Sequence, residues 1–316
     1  MRRRDAAKAQ TRGVTIIGPG RLGQAMGKAL RGASVPVDAI AGRNLRRARR
    51  AAGFIGGGHA VRLSDSEIGS GAVIVLTVSD SVVRTVARAL ARQREDWSGR
   101  VVLHTCGSLG LAVLEPFRQR GAAVGSLHPF QTIPSPSTGA RSLRGCYWSV
   151  DGDRKARALA EDWVKRLGGK SFRIPADRKA LYHLSAFLVC PTTVTLMDQS
   201  ERLLRRAGVP ARMIRPMLSQ FVTETARNFA DWGGKKALTG PVPRGDWETL
   251  ERHAAMLRRY SPELIPVHRE LVRLMLRLAG NRTNLRGKRA SAKWPLRGKV
   301  RKARRGPARS AILTTA

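Results

Sequence analysis

Residues 14–30 read VTIIGPGRLGQAMGKAL, and no other run constrains the fold as strongly. A β-branched strand ends at Gly18, after which Leu22, Met26 and Leu30 recur at helical spacing. Between strand and helix, Gly18, Gly20 and Gly23 spell G-x-G-x-x-G, a pattern that carries physical meaning only at such a junction. Gly18 permits the tight turn, Gly20 lets the backbone approach a pyrophosphate, and Gly23 lets the helix pack on the strand. Gly27 extends the strip that lacks side chains. Pro19 in the loop and Arg21 and Leu22 at the helix start are further candidate cofactor contacts, the helix start offering free N–H groups at the positive end of its dipole. The turn predicts a dinucleotide site.

The choice of dinucleotide rests on the next strand, VDAIAGRNLRRARR from Val37. An NAD site places a carboxylate at the end of that strand for the ribose hydroxyl. Here Arg43 and Asn44 follow Gly42, and a planar, bidentate guanidinium suits a 2′-phosphate. Asp38 is the only nearby acid, and three further strand residues set it below the rim. NADP(H) is the predicted cofactor. In a doubly wound sheet, ligands lie beyond the carboxyl ends of the strands. Those ends read Val78-Ser79-Asp80, Thr105-Cys106-Gly107 and His128-Pro129, small and polar as a nicotinamide and a substrate require. Val78, Ser79, Asp80 and Thr105 are the predicted cofactor contacts there. Cys106-Gly-Ser-Leu-Gly is not a nucleophile elbow, because that motif needs a residue between its first glycine and the serine.

Three zones organise the chain. Strand-like runs at Val14–Ile17, Val37–Ala41, Ala72–Val78, Val101–His104, Ala122–Leu127 and Tyr147–Val150 alternate with helical stretches, which predicts an α/β, doubly wound parallel Rossmann sheet over 13–150. Residues 151–280 turn helical. Ile214, Met217, Leu218, Phe221, Val222 and Thr225 mark one buried helix face, and a last helix runs from a Ser261 cap and Pro262 to Gly280. The expected division is a basic tail at 1–12, the dinucleotide domain at 13–150, an all-helical substrate and dimerisation domain at 151–280, and a disordered basic tail at 281–316.

The formal charge is +37, and residues 13–280 still hold 42 basic against 21 acidic side chains. Such a field attracts phosphorylated ligands, and nucleic acid without sequence preference. Arginine-rich solvated helix faces account for it equally, and no aromatic-plus-basic module supports a nucleic-acid reader. Cys106, Cys146 and Cys190 are too few for a disulfide framework, no histidine pair has metal-ligand spacing, and the basic amino terminus lacks an apolar signal core. The stretch Leu184–Met197 reads as too short and too interrupted to span a bilayer. A cytoplasmic protein with no metal and no membrane partner is expected.

The blocks GPGRLGQAMGKAL, HTCGSLG, GSLHPFQTIP, KALYHLSAFL and ALTGPVPRGDWETLERH, in this order over 13–280, resemble a Rossmann-like family of NADP-dependent oxidoreductases. Its C-terminal half is a helical domain of unknown function (2520), and its relatives are the ketopantoate, pyrroline-5-carboxylate and 6-phosphogluconate type reductases and dehydrogenases. The resemblance implies an NADP-binding domain, a helical substrate domain that forms a homodimer, and a small-molecule substrate between them. The chain departs from the pattern twice. His104-Thr105-Cys106-Gly107 stands where the family has H-x-S-G, and Pro191 stands where the long helix carries an asparagine, with no Lys-x-x-x-Asn pair because position 187 is Phe.

Reducing a carbonyl or imine takes a hydride from the nicotinamide and a proton donor near the receiving atom. His128 ends a strand over the predicted cleft, Tyr182 and His183 open the long helix, and Arg244 and Asp246 follow a Gly/Pro-rich loop; these five are the candidate catalytic residues. Each has a plainer role open to it: a strand-end backbone bond for His128, a satisfied helix position for His183, and a cap of the following helix for Asp246 paired with Arg244. A non-catalytic NADP-binding sensor or scaffold is the competing reading.

Overall fold

The computed structural model describes residues 13–65, 68 and 71–280. Both basic tails lie outside the described residues. Residues up to Thr195 form one compact unit and those from Leu196 another.

The first unit is built on one sheet of eight strands: β1 (Val14–Ile17), β2 (Val37–Gly42), β3 (His59–Arg62), β4 (Val73–Leu76), β5 (Val101–His104), β6 (Ala123–Pro129), β7 (Tyr147–Gly152) and β8 (Lys170–Phe172). Their spatial order is β3-β2-β1-β4-β5-β6-β7-β8. The central strands β1, β4 and β5 are buried along their whole length, the pattern of a sheet covered on both faces. On one face α1 (Arg21–Gly32), α2 (Leu45–Ile55) and α6 (Arg154–Arg166) cover Val14, Ile16 and Trp148 with Met26, Leu30, Ile55 and Trp163. On the other, α3 (Asp80–Ala91) and α4 (Glu115–Arg118) cover Ile17, Ile74 and Leu76 with Val83, Leu90 and Phe117. Trp97 closes that second core, edge-on to Phe117 at 4.8 Å and donating Nε1–H to the Ala91 carbonyl.

The doubly wound Rossmann architecture is as the sequence reads, with three corrections. β7 runs antiparallel to β6, so the sheet is mostly rather than wholly parallel. β3 and β8 were not anticipated, because HAVR and KSF are short edge strands without a β-branched run. The sheet also continues past Val150 through α6 and β8, and the two units divide inside a long helix, not at 150/151.

That helix is α7 (Lys179–Arg206), uninterrupted across Pro191. Proline removes the N–H that would reach the Phe187 carbonyl, and the Thr192 hydroxyl donates to that carbonyl instead, at 3.1 Å. By length and composition α7 could cross a membrane, its apolar window having mean hydropathy 1.4, so the stretch is not too short to span. The second unit continues with α8 (Ala211–Ala237), α9 (Pro241–Arg244), α10 (Trp247–Tyr260) and α11 (Ile265–Ala279) around Val242, Leu250, Val272 and Leu276. Gly233, at φ +70°, breaks α8. Of the face expected to be buried, only Ile214 is; Met217 and Phe221 are exposed, because no element of this unit covers them.

Candidate active site

The glycine turn is fixed from two sides. Gly18 sits at φ +110°, where a side chain is strained, and a Cβ there would come within 3.0 Å of Val78. A Cβ on Gly23 would lie 2.5 Å from Thr77 Oγ1 and closer still to the Gly18 carbonyl oxygen. The buried Thr77 hydroxyl reaches the carbonyls of Ile17 (3.0 Å) and Gly18 (2.8 Å), and Gln24 donates to the Pro19 carbonyl. Pro19 rests on Gly42, whose missing side chain makes room for it. Thr77 was overlooked, hidden as the polar end of an apolar strand.

The same turn is open toward a ligand. Gly20, the N-cap of α1, has no atom within 4 Å of where a Cβ would stand. No side chain caps α1 and its first turn holds no acid, so its leading N–H groups are left to an anion. Half-buried Leu22 packs inward, and Arg21 reaches the Pro134 carbonyl at 3.3 Å. Beyond β2, Arg43 is exposed, whereas Asn44 is spent as the N-cap of α2, accepting from the Arg47 N–H. The Asp38 carboxylate lies against Gly13, at the end of β1 away from the turn.

From Thr77 the chain leads straight to a polar cluster. Ser79 takes the N-cap position of α3 without a side-chain bond to the helix N–H groups, and Asp80 begins the helix; Ser108 donates to the Asp80 carboxylate at 2.5 Å. Burial would raise the Asp80 pKa, but hydrogen bonds from Ser108 and the Cys106 thiol, with the fields of His183 and His128, hold it below the usual carboxylate range. Burial pushes the Cys106 thiol well up, so it stays protonated as a donor, and 2% exposure keeps it from a ligand. Thr105, expected at the cofactor, is only 4% exposed and donates to the Leu76 carbonyl; it ties β5 to β4.

His128 stands above this loop. A Cβ on Gly107 would lie 2.6 Å from its Nε2 and 2.8 Å from His183 Cδ2, so the bare Gly107 backbone is what lets both rings close in. His128 Nδ1 is 2.8 Å from the Tyr182 hydroxyl, and the two imidazoles are 6.2 Å apart. Phe130 and Phe172 flank the Tyr182 ring. Burial, then the nearby His183 and Lys179, pull the His128 pKa down to about 4, while burial raises that of Tyr182. His128 is therefore a neutral imidazole at neutral pH, and Tyr182 a phenol that keeps its proton.

Lys179 explains the posture of the pair. Its ammonium is buried and donates to Ser126 Oγ at 2.6 Å, two residues before His128 on β6. Burial lowers its pKa, offset by Asp151 and Cys106. Tyr182 and His183, three and four residues on, share its helix face, so the anchor at Lys179 aims both at His128. This residue was missed although that spacing was visible in KALYH. Beneath it, buried His104 accepts from the Cys106 N–H and is pushed down to about 3 by burial and Lys179. Arg244 and Asp246 belong to the second unit, where Asp246 caps α10 by accepting from the Thr249 N–H and exposed Arg244 ends α9.

Two family models now account for most of the chain. Residues 3–129 match a Rossmann-like domain, and residues 146–275 match domain of unknown function 2520. The chain joins a Rossmann-like domain to a domain of unknown function 2520. No curated protein matches its sequence. Solved structures share the fold at low identity. A Thermotoga maritima protein is 23% identical with a TM-score of 0.64, covering 85% of this chain and 98% of its own. A Bacteroides fragilis protein, provisionally described as an NADP oxidoreductase, is 21% identical with a TM-score of 0.69, covering 84% and 97%. A pyrroline-5-carboxylate reductase of Coxiella burnetii is 15% identical with a TM-score of 0.55, covering 85% and 98%. The architecture is thus one that nicotinamide-dependent reductases use.

Proposed function

We propose that this protein is an NADP(H)-dependent oxidoreductase that reduces a small carbonyl or imine compound, with Tyr182 as proton donor and His128 behind it. The observation that carries this reading is one connected set of contacts. It runs from the acid-free start of α1 through Thr77 and Asp80 to Ser108, Gly107, His128 and Tyr182.

The residues present fit the cofactor. The open position at Gly20, the uncapped α1 N-terminus and Gly18 would receive a pyrophosphate, and exposed Arg43 a 2′-phosphate. NADPH supplies the hydride when bound. The remaining work falls to the chain. Tyr182 holds its proton because burial disfavours phenolate, and it can donate that proton to a nascent alkoxide or amide nitrogen. In the tautomer protonated at Nδ1, neutral His128 can donate a hydrogen bond to the phenolate oxygen and stabilise its charge until solvent returns the proton. His183, exposed beside them, stands where bulk solvent can restore the proton. Asp80 is held ionised and fixes the Cys106–Ser108 loop beneath the rings.

The test is NADPH oxidation against a panel of small aldehydes, ketones and cyclic imines. Tyr182→Phe is expected to lower turnover about a hundredfold, the lower range for a positioned acid, with NADPH affinity nearly unchanged. Undiminished turnover in that variant overturns the assignment. Tight NADPH binding with no oxidation across the panel favours a cofactor-binding sensor instead.

The reading includes a homodimer in a reducing, cytoplasmic setting. Leu181, Phe187 and Leu188 on α7, and Phe221, Phe229 and Trp232 on α8, are more than half exposed. A second copy suits these faces better than lipid, because the first turn of α7 is pinned in the polar cluster by Lys179, Tyr182 and His183. Light scattering on detergent-free protein checks this, and a monodisperse monomer rejects it.

A further inference from the structure

α1 and α2 carry the dinucleotide turn at one end of the sheet and stop together at the other, at Gly32 and Ile55. There, with α5 (Pro136–Ser142) and its exit, they line a cleft of about 660 Å³. On α1 its lining runs from Lys28 to Gly32, which at about 1.5 Å per residue lies about 12–18 Å from Gly20 of the turn.

Four cations rim this cleft: Lys28, Arg31, Arg141 and Arg144. The Arg31 guanidinium and the Lys28 ammonium both come within 3.8 Å of where a Cβ on Gly56 would stand, and Arg144 within 2.7 Å of one on Gly32. Glycines at these places leave room for the cationic heads to gather. The floor is apolar, made by Ile55 and by Phe54, whose ring lies 5.9 Å from the Lys28 ammonium.

An arginine-rich chain scatters unpaired arginines over solvated faces, whereas here four cations from α1, α5 and the α5 exit converge on one concave site. On α6, α7 and α10 four arginines have partners one turn away, Arg157 with Glu161, Arg166 with Asp162, Arg202 with Asp198 and Arg252 with Glu248, while Arg154, Arg258 and Arg259 stand apart on exposed faces. α1, α2 and α5 contain no Asp or Glu, and none of the four rim cations has an ion-pair partner among the described residues. The three helix C-termini that point here supply only about half a negative charge each, about −1.5 against four positive charges. Between two and three charges are left uncompensated over an aromatic floor.

We propose that this cleft binds a phosphorylated small molecule bearing an aromatic or apolar group, at a site separate from the dinucleotide turn. Phosphate oxygens match the forked guanidinium donors, and the apolar part covers Phe54 and Ile55.

The experiment is calorimetric titration of ATP into the full chain already saturated with NADPH, at physiological salt, where the field of distant charges is screened. One further equivalent of ATP is expected to bind. Arg141→Glu/Arg144→Glu should weaken it about tenfold or more without changing NADPH affinity, and Phe54→Ala should weaken ATP but not tripolyphosphate. Three outcomes overturn the proposal: no saturable second equivalent, equal loss in Arg46→Glu/Arg49→Glu on the outer face of α2, or ATP binding no tighter than tripolyphosphate.

Discussion

The two central glycines of the turn make opposite demands, and separate substitutions distinguish them. Gly20 has φ −81° and ψ −175°, open to any residue, and nothing lies within 4 Å of a Cβ built there. Gly20→Ala therefore leaves the free protein almost unchanged. The gain from stiffening the unfolded chain, about 0.4–1 kcal/mol, offsets a similar loss from replacing an N-cap glycine. The added methyl stands where a pyrophosphate has to approach the first turn of α1. Pushing that anion off two or three N–H donors removes charge-assisted bonds worth about 1.5–3 kcal/mol each. NADPH should bind at least about tenfold more weakly, a loss of about 1.4 kcal/mol. Gly23→Ala is the reverse case, because its methyl meets the Gly18 carbonyl and Thr77 Oγ1 at 2.5 Å or less. Both belong to a turn held by buried hydrogen bonds, so neither yields cheaply. Overpacking of this kind costs about 1–3 kcal/mol or more. At about 2–4 °C per kcal/mol, the melting temperature should fall by roughly 2–12 °C. Scanning calorimetry and fluorescence titration with NADPH read the two effects independently. If Gly20→Ala binds NADPH as the unaltered protein does, the turn is a packing device and the cofactor assignment fails.

Three further outcomes follow from the same geometry. With Asn44 committed to capping α2, Arg43 alone remains to read a 2′-phosphate, so NADPH should bind at least about tenfold tighter than NADH, and Arg43→Ala should erase most of that difference in a fixed-salt titration. His128 and His104 titrate near 4 and 3 when folded, against 6.5 when unfolded. The unfolded chain takes up protons first as the pH falls, so stability is complete above about pH 6.5 and drops below it, by up to about 1.4 kcal/mol per pH unit for each imidazole. Urea midpoints that stay level from pH 7 to pH 5 contradict this. Lys179→Met removes a positive charge that depresses His128, so the His128 titration followed by NMR should move upward, and an unmoved titration denies Lys179 its positioning role.

What the sequence makes legible is whatever a local pattern determines. The glycine turn, the central strands and the carboxyl end of α11 belong to that class: Gly280 does take the left-handed cap at φ +79°, whereas Ser261 and Pro262 open a short 3-10 turn and α11 itself starts at Ile265. The edge strands β3 and β8 do not, because they owe their existence to a neighbour in the sheet and not to their own residues. The exposed apolar side of α8 shows a further limit, since periodicity marks an apolar face but not what covers it.

The candidate cluster combines the two cases. Tyr182, His128 and His183 were identifiable as titratable groups in motif-like blocks, yet the protonation of Tyr182 and His128 was not, because it depends on burial and, for His128, on His183 and on Lys179, 51 residues further along the chain. A histidine with its ordinary pKa would be the natural acid at neutral pH. Buried, and beside His183 and the Lys179 ammonium, His128 disfavours that charge, and in the proposed reaction the donor's role falls to the hydroxyl it touches. Thr105 shows the converse: a strand-end hydroxyl where a ligand contact is expected is turned inward to satisfy a carbonyl of the next strand. Sequence spacing brings these residues to the right edge of the sheet, but hydrogen-bond partners and burial decide which of them meets the substrate and in what charge state.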